Sequence, residues 1–127
     1  MSQYMLLLYH DHPVVFRSLK PEDRQKAFAK YEAYGEKLRQ EKVYVASSKL
    51  ADDPGRVITA KTGRMVTTDG PFGETKEWLG GYYLIEAPNY DAAVEISRGC
   101  PQLEYGGTVV VRELDPLAAA VMRSKAS

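Results

Sequence analysis

The nine residues Asp69-Gly70-Pro71-Phe72-Gly73-Glu74-Thr75-Lys76-Glu77 hold the densest concentration of reactive groups in the chain. A carboxylate beside a Gly-Pro turn, with Glu74 and Lys76 close behind, can supply a general base and a cationic anchor for a substrate carbonyl or carboxylate. In that arrangement Asp69 or Glu74 is the catalytic base and Lys76 the anion anchor, while Phe72 and Tyr82 or Tyr83 form the substrate-binding wall. The same residues are also good turn chemistry: Asp69 can hydrogen-bond the turn's own amides, and Phe72 can plug the core. Tyr82 and Tyr83 are neighbours on an expected strand and point to opposite faces, so only one can line a pocket.

His10-Asp11-His12 is a second cluster. On extended backbone both imidazoles point the same way and, with one carboxylate, offer three ligands to zinc or another divalent ion. The alternative is a polar turn closing a strand. These are the chain's only two histidines, so a metal site would need acids from elsewhere. Cys100, the single cysteine, follows a helix end, where the negative end of the dipole opposes thiolate formation. It reads as a small buried apolar residue. The chain contains no phosphate-binding glycine loop, CxxC pair or serine-nucleophile motif, and neither cofactor nor metal is expected.

The elements that must position these groups follow from periodicity. Residues 4–9, Tyr-Met-Leu-Leu-Leu-Tyr, form a short apolar run suited to a strand buried on both faces. Pro21 with Glu22 and Asp23 starts a helix that runs to about 40 and carries Ala27, Tyr31, Tyr34 and Leu38 on one stripe. A second strand spans 43–50 and ends at the turn Asp52-Asp53-Pro54-Gly55. Runs 56–61 and 64–68, joined at Thr62-Gly63, read as a tight hairpin. A strand at 81–87 and a helix over 90–98 capped by Asn89 follow. The closing strand is 108–114, and a helical stub from Asp115 through Met122 precedes a frayed tail at 124–127.

Composition narrows the function classes. The chain's 127 residues, 44% of them apolar, suffice for one domain with one core. Seventeen basic residues balance seventeen acidic ones without long runs of either sign, which speaks against nucleic acid and membrane partners. One cysteine and no long apolar segment fit a reducing, cytoplasmic setting.

With the 56–68 hairpin set aside as an insertion, the order is strand, helix, strand, strand, helix, strand, the split βαβ order of a ferredoxin-like α+β sandwich. Both helices then cover one sheet face. Met5 to Tyr9, Tyr82 to Ile85 and Val109 to Val111 carry apolar side chains in both directions, so the second face needs a cover as well. A homodimer with sheets packed face to face supplies it. The alternative cover is the chain's own C-terminal stub.

Residues 69–77, followed by Leu79-Gly80-Gly81-Tyr82-Tyr83, resemble the DGPFAETKE-type (DGPF) branch of the YCII-related proteins, differing from that signature at Gly73. The likeness extends to the first-strand run, to Cys100-Pro101 after the second helix, and to Tyr105-Gly106-Gly107 before the last strand. It implies a dimeric α/β barrel and a bacterial or similar cytoplasmic origin. In the wider family a first-helix histidine and an aspartate preceding a proline are proposed as a catalytic pair. Here the helix offers Tyr31 and Tyr34, and Cys100 precedes Pro101, so that pair does not carry over. The branch is also tied to extracytoplasmic-function sigma factors.

Two function classes follow. The first is a cytoplasmic homodimer binding a small organic molecule between sheet and helices, bordered by the 69–76 loop. The reaction that suits its groups is proton transfer, as in an isomerase, a lyase or a cofactor-free oxygenase. The second, implied by the resemblance, is a non-enzymatic ligand-sensing regulator that contacts a sigma factor.

Overall fold

The structure, a computed structural model, describes residues 1–11, 19–70 and 77–126. Strand β1 (Ser2–His10) alternates strictly, with Tyr4, Leu6, Leu8 and His10 buried on one side. It runs one residue further than its apolar stretch suggests, because a register shift between Leu8 and Tyr9 lets His10 pair with Trp78. His10 is therefore the last residue of a strand, which corrects its expected place in a polar turn.

Helix α1 (Pro21–Gln40) begins at proline, has Glu22 and Asp23 in its first turn, and buries Ala27, Tyr34, Gly35 and Leu38. It ends without glycine: Lys42 takes positive φ while Val43 N–H donates to Leu38 O at 3.0 Å. Strand β2 (Tyr44–Lys49) follows. Strands β3 (Arg56–Lys61) and β4 (Arg64–Asp69) meet at Thr62 and Gly63, both at positive φ as a two-residue hairpin turn requires. They form a two-stranded sheet of their own. Strand β5 (Trp78–Ala87) starts three residues earlier than its apolar core.

Helix α2 (Tyr90–Ser97) is capped by Asn89, whose side chain accepts from Ala92 N–H at 2.8 Å. A short 3₁₀ turn (Pro101–Leu103), β6 (Thr108–Glu113) and α3 (Pro116–Ala126) complete the chain. The tail expected to fray continues the helix as far as Ala126. Asp115 accepts from the Leu117 and Ala118 amides at the helix start, and the alanine-rich sequence favours propagation.

The main sheet has the order β2-β5-β1-β6, antiparallel throughout, compatible with a ferredoxin-like fold. One face packs under α1 and α2 through Tyr4, Leu6, Leu8, Tyr34, Leu38, Tyr83, Ile85 and Ala93. By alternation, Met5, Leu7, Tyr82, Leu84 and Val110 occupy the opposite face. Helix α3 does not bury itself there: Leu117 is 80% exposed and Met122 70%. Among the described residues, no helix is long and apolar enough to cross a membrane.

Candidate functional site

A cavity of about 270 Å³ opens between α1 and the adjoining ends of β1, β2 and β5. Ligand sites usually run from about 300 Å³ upward, so this one suits a small molecule. From α1 come Phe28, Tyr31, Glu32, Gly35 and Arg39, a stripe with helical spacing beside the core stripe. Leu8 and His10 enter from β1, Ser47 and Lys49 from β2, and Trp78 through Tyr83 from β5. The sheet residues converge because the first residues of β5 pair with the last of both neighbouring strands.

Polar order inside the cleft is set by phenols and one amide. Tyr31 O–H donates to Gln102 Oε1 at 2.7 Å, and Gln102 Nε2 donates to Tyr9 O at 2.7 Å. Tyr83 O–H donates to Tyr31 O at 2.8 Å, and outside the cleft lining, in the core, Tyr34 O–H donates to Ile96 O at 2.7 Å. Burial pushes all three phenols well above the usual tyrosine value, so near neutrality they act as donors. His10, 8% exposed, contributes an imidazole to the lining of the same cleft. Lys49 is held by Asp52 at 2.8 Å, whereas Arg39 lies over the Tyr44 ring at 4.2 Å.

The residues singled out from the sequence separate here. Tyr82 and Tyr83 both border the cleft, and Tyr83 sends its ring into the helix–sheet layer, where it meets Tyr34 edge-on. Asp69 does not line the cleft. Its side chain is 81% exposed, with Arg56 Nε at 3.4 Å. Phe72, Glu74 and Lys76 lie outside the described residues, as does His12. Among the described residues, no three His, Cys, Asp or Glu side chains gather as a metal site would need. Sequence reasoning assigned His10 to metal or turn chemistry and passed over Gly35, Arg39, Trp78 and Gln102. A glycine inside an otherwise strong helical pattern was the available signal.

A family model described as a YCII-related domain matches residues 2–117. The chain belongs to the YCII-related family. A protein of Rhizobium meliloti (strain 1021), described as an uncharacterized protein, is 32% identical over 102 residues, which cover 75% of this chain and 77% of that one.

In this YCII-related chain, Cys100 sits behind the cleft wall rather than in it, 3% exposed and within the core cluster. Burial pushes its thiol up to about 11 from 9.0, against a smaller opposing effect of a backbone hydrogen bond at Gln102. The unfolded thiol ionises first, so between those values the unfolded chain sheds a proton that the native state keeps. The thiol's share of the stability lost as pH rises from 9 to 11 is expected to be roughly 2 kcal/mol, with the buried phenols adding their own loss above pH 10. Urea unfolding at pH 8 and 10.5 should show a smaller loss for Cys100→Ala than for the unaltered chain. Equal losses would remove the thiol as the cause.

Proposed function

We propose that this protein is a cytoplasmic homodimer that binds a small organic molecule in the α1–sheet cleft and moves a proton on it through His10. The observation that carries the reading is a buried imidazole set in a ring-walled cavity beside phenol donors. Imidazole is the side chain whose ordinary pKa suits proton transfer near neutrality in both directions. Isomerase or lyase chemistry needs little more than such a group beside a bound substrate, while the hydroxyl protons of Tyr31 and Tyr83, given to Gln102 Oε1 and Tyr31 O, order the wall around it. Asp69, in solvent beside Arg56, is not given the base role. For Phe72, Glu74 and Lys76 the assignment made from the sequence is carried forward as part of this proposal.

The proposal is tested by native mass spectrometry after incubation with a mixture of small metabolites. Bound mass increments are expected on the unaltered protein and not on Ser47→Trp, which fills the cleft from an exposed position. In deuterated water, His10→Asn is expected to keep the bound mass while losing at least about 100-fold in deuterium incorporation. Binding with no exchange even in the unaltered protein would leave the ligand-sensing reading in place of the enzymatic one.

Dimerisation is supported by the apolar sheet face opposite the helices and by the exposed Leu117, Val121 and Met122 of α3. At micromolar concentration, sedimentation is expected to show twice the 14.2 kDa chain mass. Val110→Glu, a charge placed on that face, is expected to return the chain mass, and an unaltered protein already sedimenting as a single chain would end the dimer proposal.

A further inference from the structure

Gly35 lies in the interior of a 20-residue helix, is buried, and lines the cleft. Glycine there weakens the helix relative to alanine, and its backbone is ordinary helix with no need for positive φ. Packing does not demand it either. A methyl group at this position would stand 3.8 Å from Arg39 Nη1 and 3.9 Å from Tyr83 Cε1, which is ordinary contact. The unmet role of the missing side chain is to leave room in the cavity, between a guanidinium and an aromatic ring.

Arg39 is equipped to meet an anion in that room. Among the described residues its carboxylate neighbour within 4 Å is Glu36, at 3.6 Å, well exposed and not part of the cleft. Most of its five donors therefore remain for a ligand, and the planar fork matches a carboxylate. Lys49, the other cation among the described cleft residues, is already held by Asp52 at 2.8 Å and by Leu50 O at 2.8 Å. Glu32 and Asp53, exposed carboxylates among the cleft residues, disfavour a second negative charge. Tyr83 stands beside Gly35, and Phe28, Tyr31 and Trp78 also line the cleft, rings that favour a flat aromatic body.

We propose that the cleft takes a small aromatic monocarboxylate, its carboxylate on Arg39 and its ring in the space that Gly35 leaves open beside Tyr83. The assignment rests on the reading of the cleft as a ligand site and adds the chemical class and the residues that select it. Flatness is selected by the rings, and single negative charge by the one available guanidinium among the described cleft residues, set among exposed acids.

Trp78 is the chain's one tryptophan and lines the cleft, so its emission reports occupancy. The full-length protein is titrated with benzoate, 4-hydroxybenzoate and phenylacetate, and in parallel with benzamide, benzylamine, cyclohexanecarboxylate and phthalate. Saturable changes are expected for the three aromatic monocarboxylates, with affinity at least about tenfold above every comparison compound. Arg39→Gln should reduce that affinity by about 10- to 100-fold and leave benzamide unaffected. Gly35→Ala should raise the melting temperature by about 3 °C and weaken the carboxylates at least fivefold. A gain in melting temperature with unchanged affinity, or an Arg39→Gln protein that binds normally, overturns the assignment. Equal or tighter binding of benzamide or benzylamine overturns the anion class while leaving the cleft as a ligand site. No response to any compound, together with no mass increment from the metabolite mixture, overturns both.

Discussion

Gln102→Leu is expected to lower the free energy of unfolding by about 2 kcal/mol, because the amide is 2% exposed and closes two part-buried hydrogen bonds. Leucine keeps most of the volume but takes from Tyr31 O–H and Tyr9 O the amide that each bonds. The amide's slot is tight, since a side chain at Gly107 would run into Gln102 Nε2. Tyr31→Phe removes one of the two bonds, so the double variant should cost less than the two single variants added together, by about 1 kcal/mol. Urea unfolding measures all three. A loss below 1 kcal/mol for Gln102→Leu would mean that solvent reaches these groups. Because Tyr31 and Gln102 both line the cleft, the same variant should loosen the wall against which a ligand packs.

Neighbouring glycines at the start of β5 should give opposite results. A methyl group at Gly81 would stand 2.7 Å from Ser48 O and 3.3 Å from Lys49 Cα, both backbone atoms of the edge strand β2. Relief requires β2 to move away, which strains the Ser48–Tyr82 and Lys49–Gly81 pairing. Gly81→Ala is therefore expected to cost about 2–3 kcal/mol and to speed amide exchange at residues 47–50. At Gly80 a methyl group would meet Leu8 O at 3.7 Å and His10 Cδ2 at 3.8 Å. Gly80→Ala should stay within about 1 kcal/mol of the unaltered protein. Thermal unfolding of the pair checks the contrast, and equal losses would contradict it.

The elements were legible because their signals are local. Pro21 followed by two acids opens α1, Thr62-Gly63 turns the hairpin, and Asn89 caps α2, each where the residue type meets a backbone need. The position of His10 was not legible, because it depends on a register shift opposite β5, which is a property of two strands. The cleft was legible only as a place between sheet and helices. The dense charges of 69–77 are the strongest local signal in the sequence, whereas the described wall is built by a second stripe on α1, through 28, 31, 35 and 39, next to the stripe that forms the core. Two adjacent stripes on one helix blur into a broad apolar face, and neither Gly35 nor Arg39 stands out until the helix is docked. The length of α3 was likewise understated, since a helix nucleated at the alanines of 118–120 propagates through 123–126, where apolar spacing no longer marks it.

Strand β1 lies between β5 and β6, and its Leu6 pairs with Val111, more than a hundred positions later. During synthesis at about 5–20 residues per second, this greasy first segment must wait several seconds for its second neighbour to leave the ribosome. The sheet therefore closes only once nearly the whole polypeptide has been made, and nascent chains stalled before residue 108 should recruit holdase chaperones that full-length chains release.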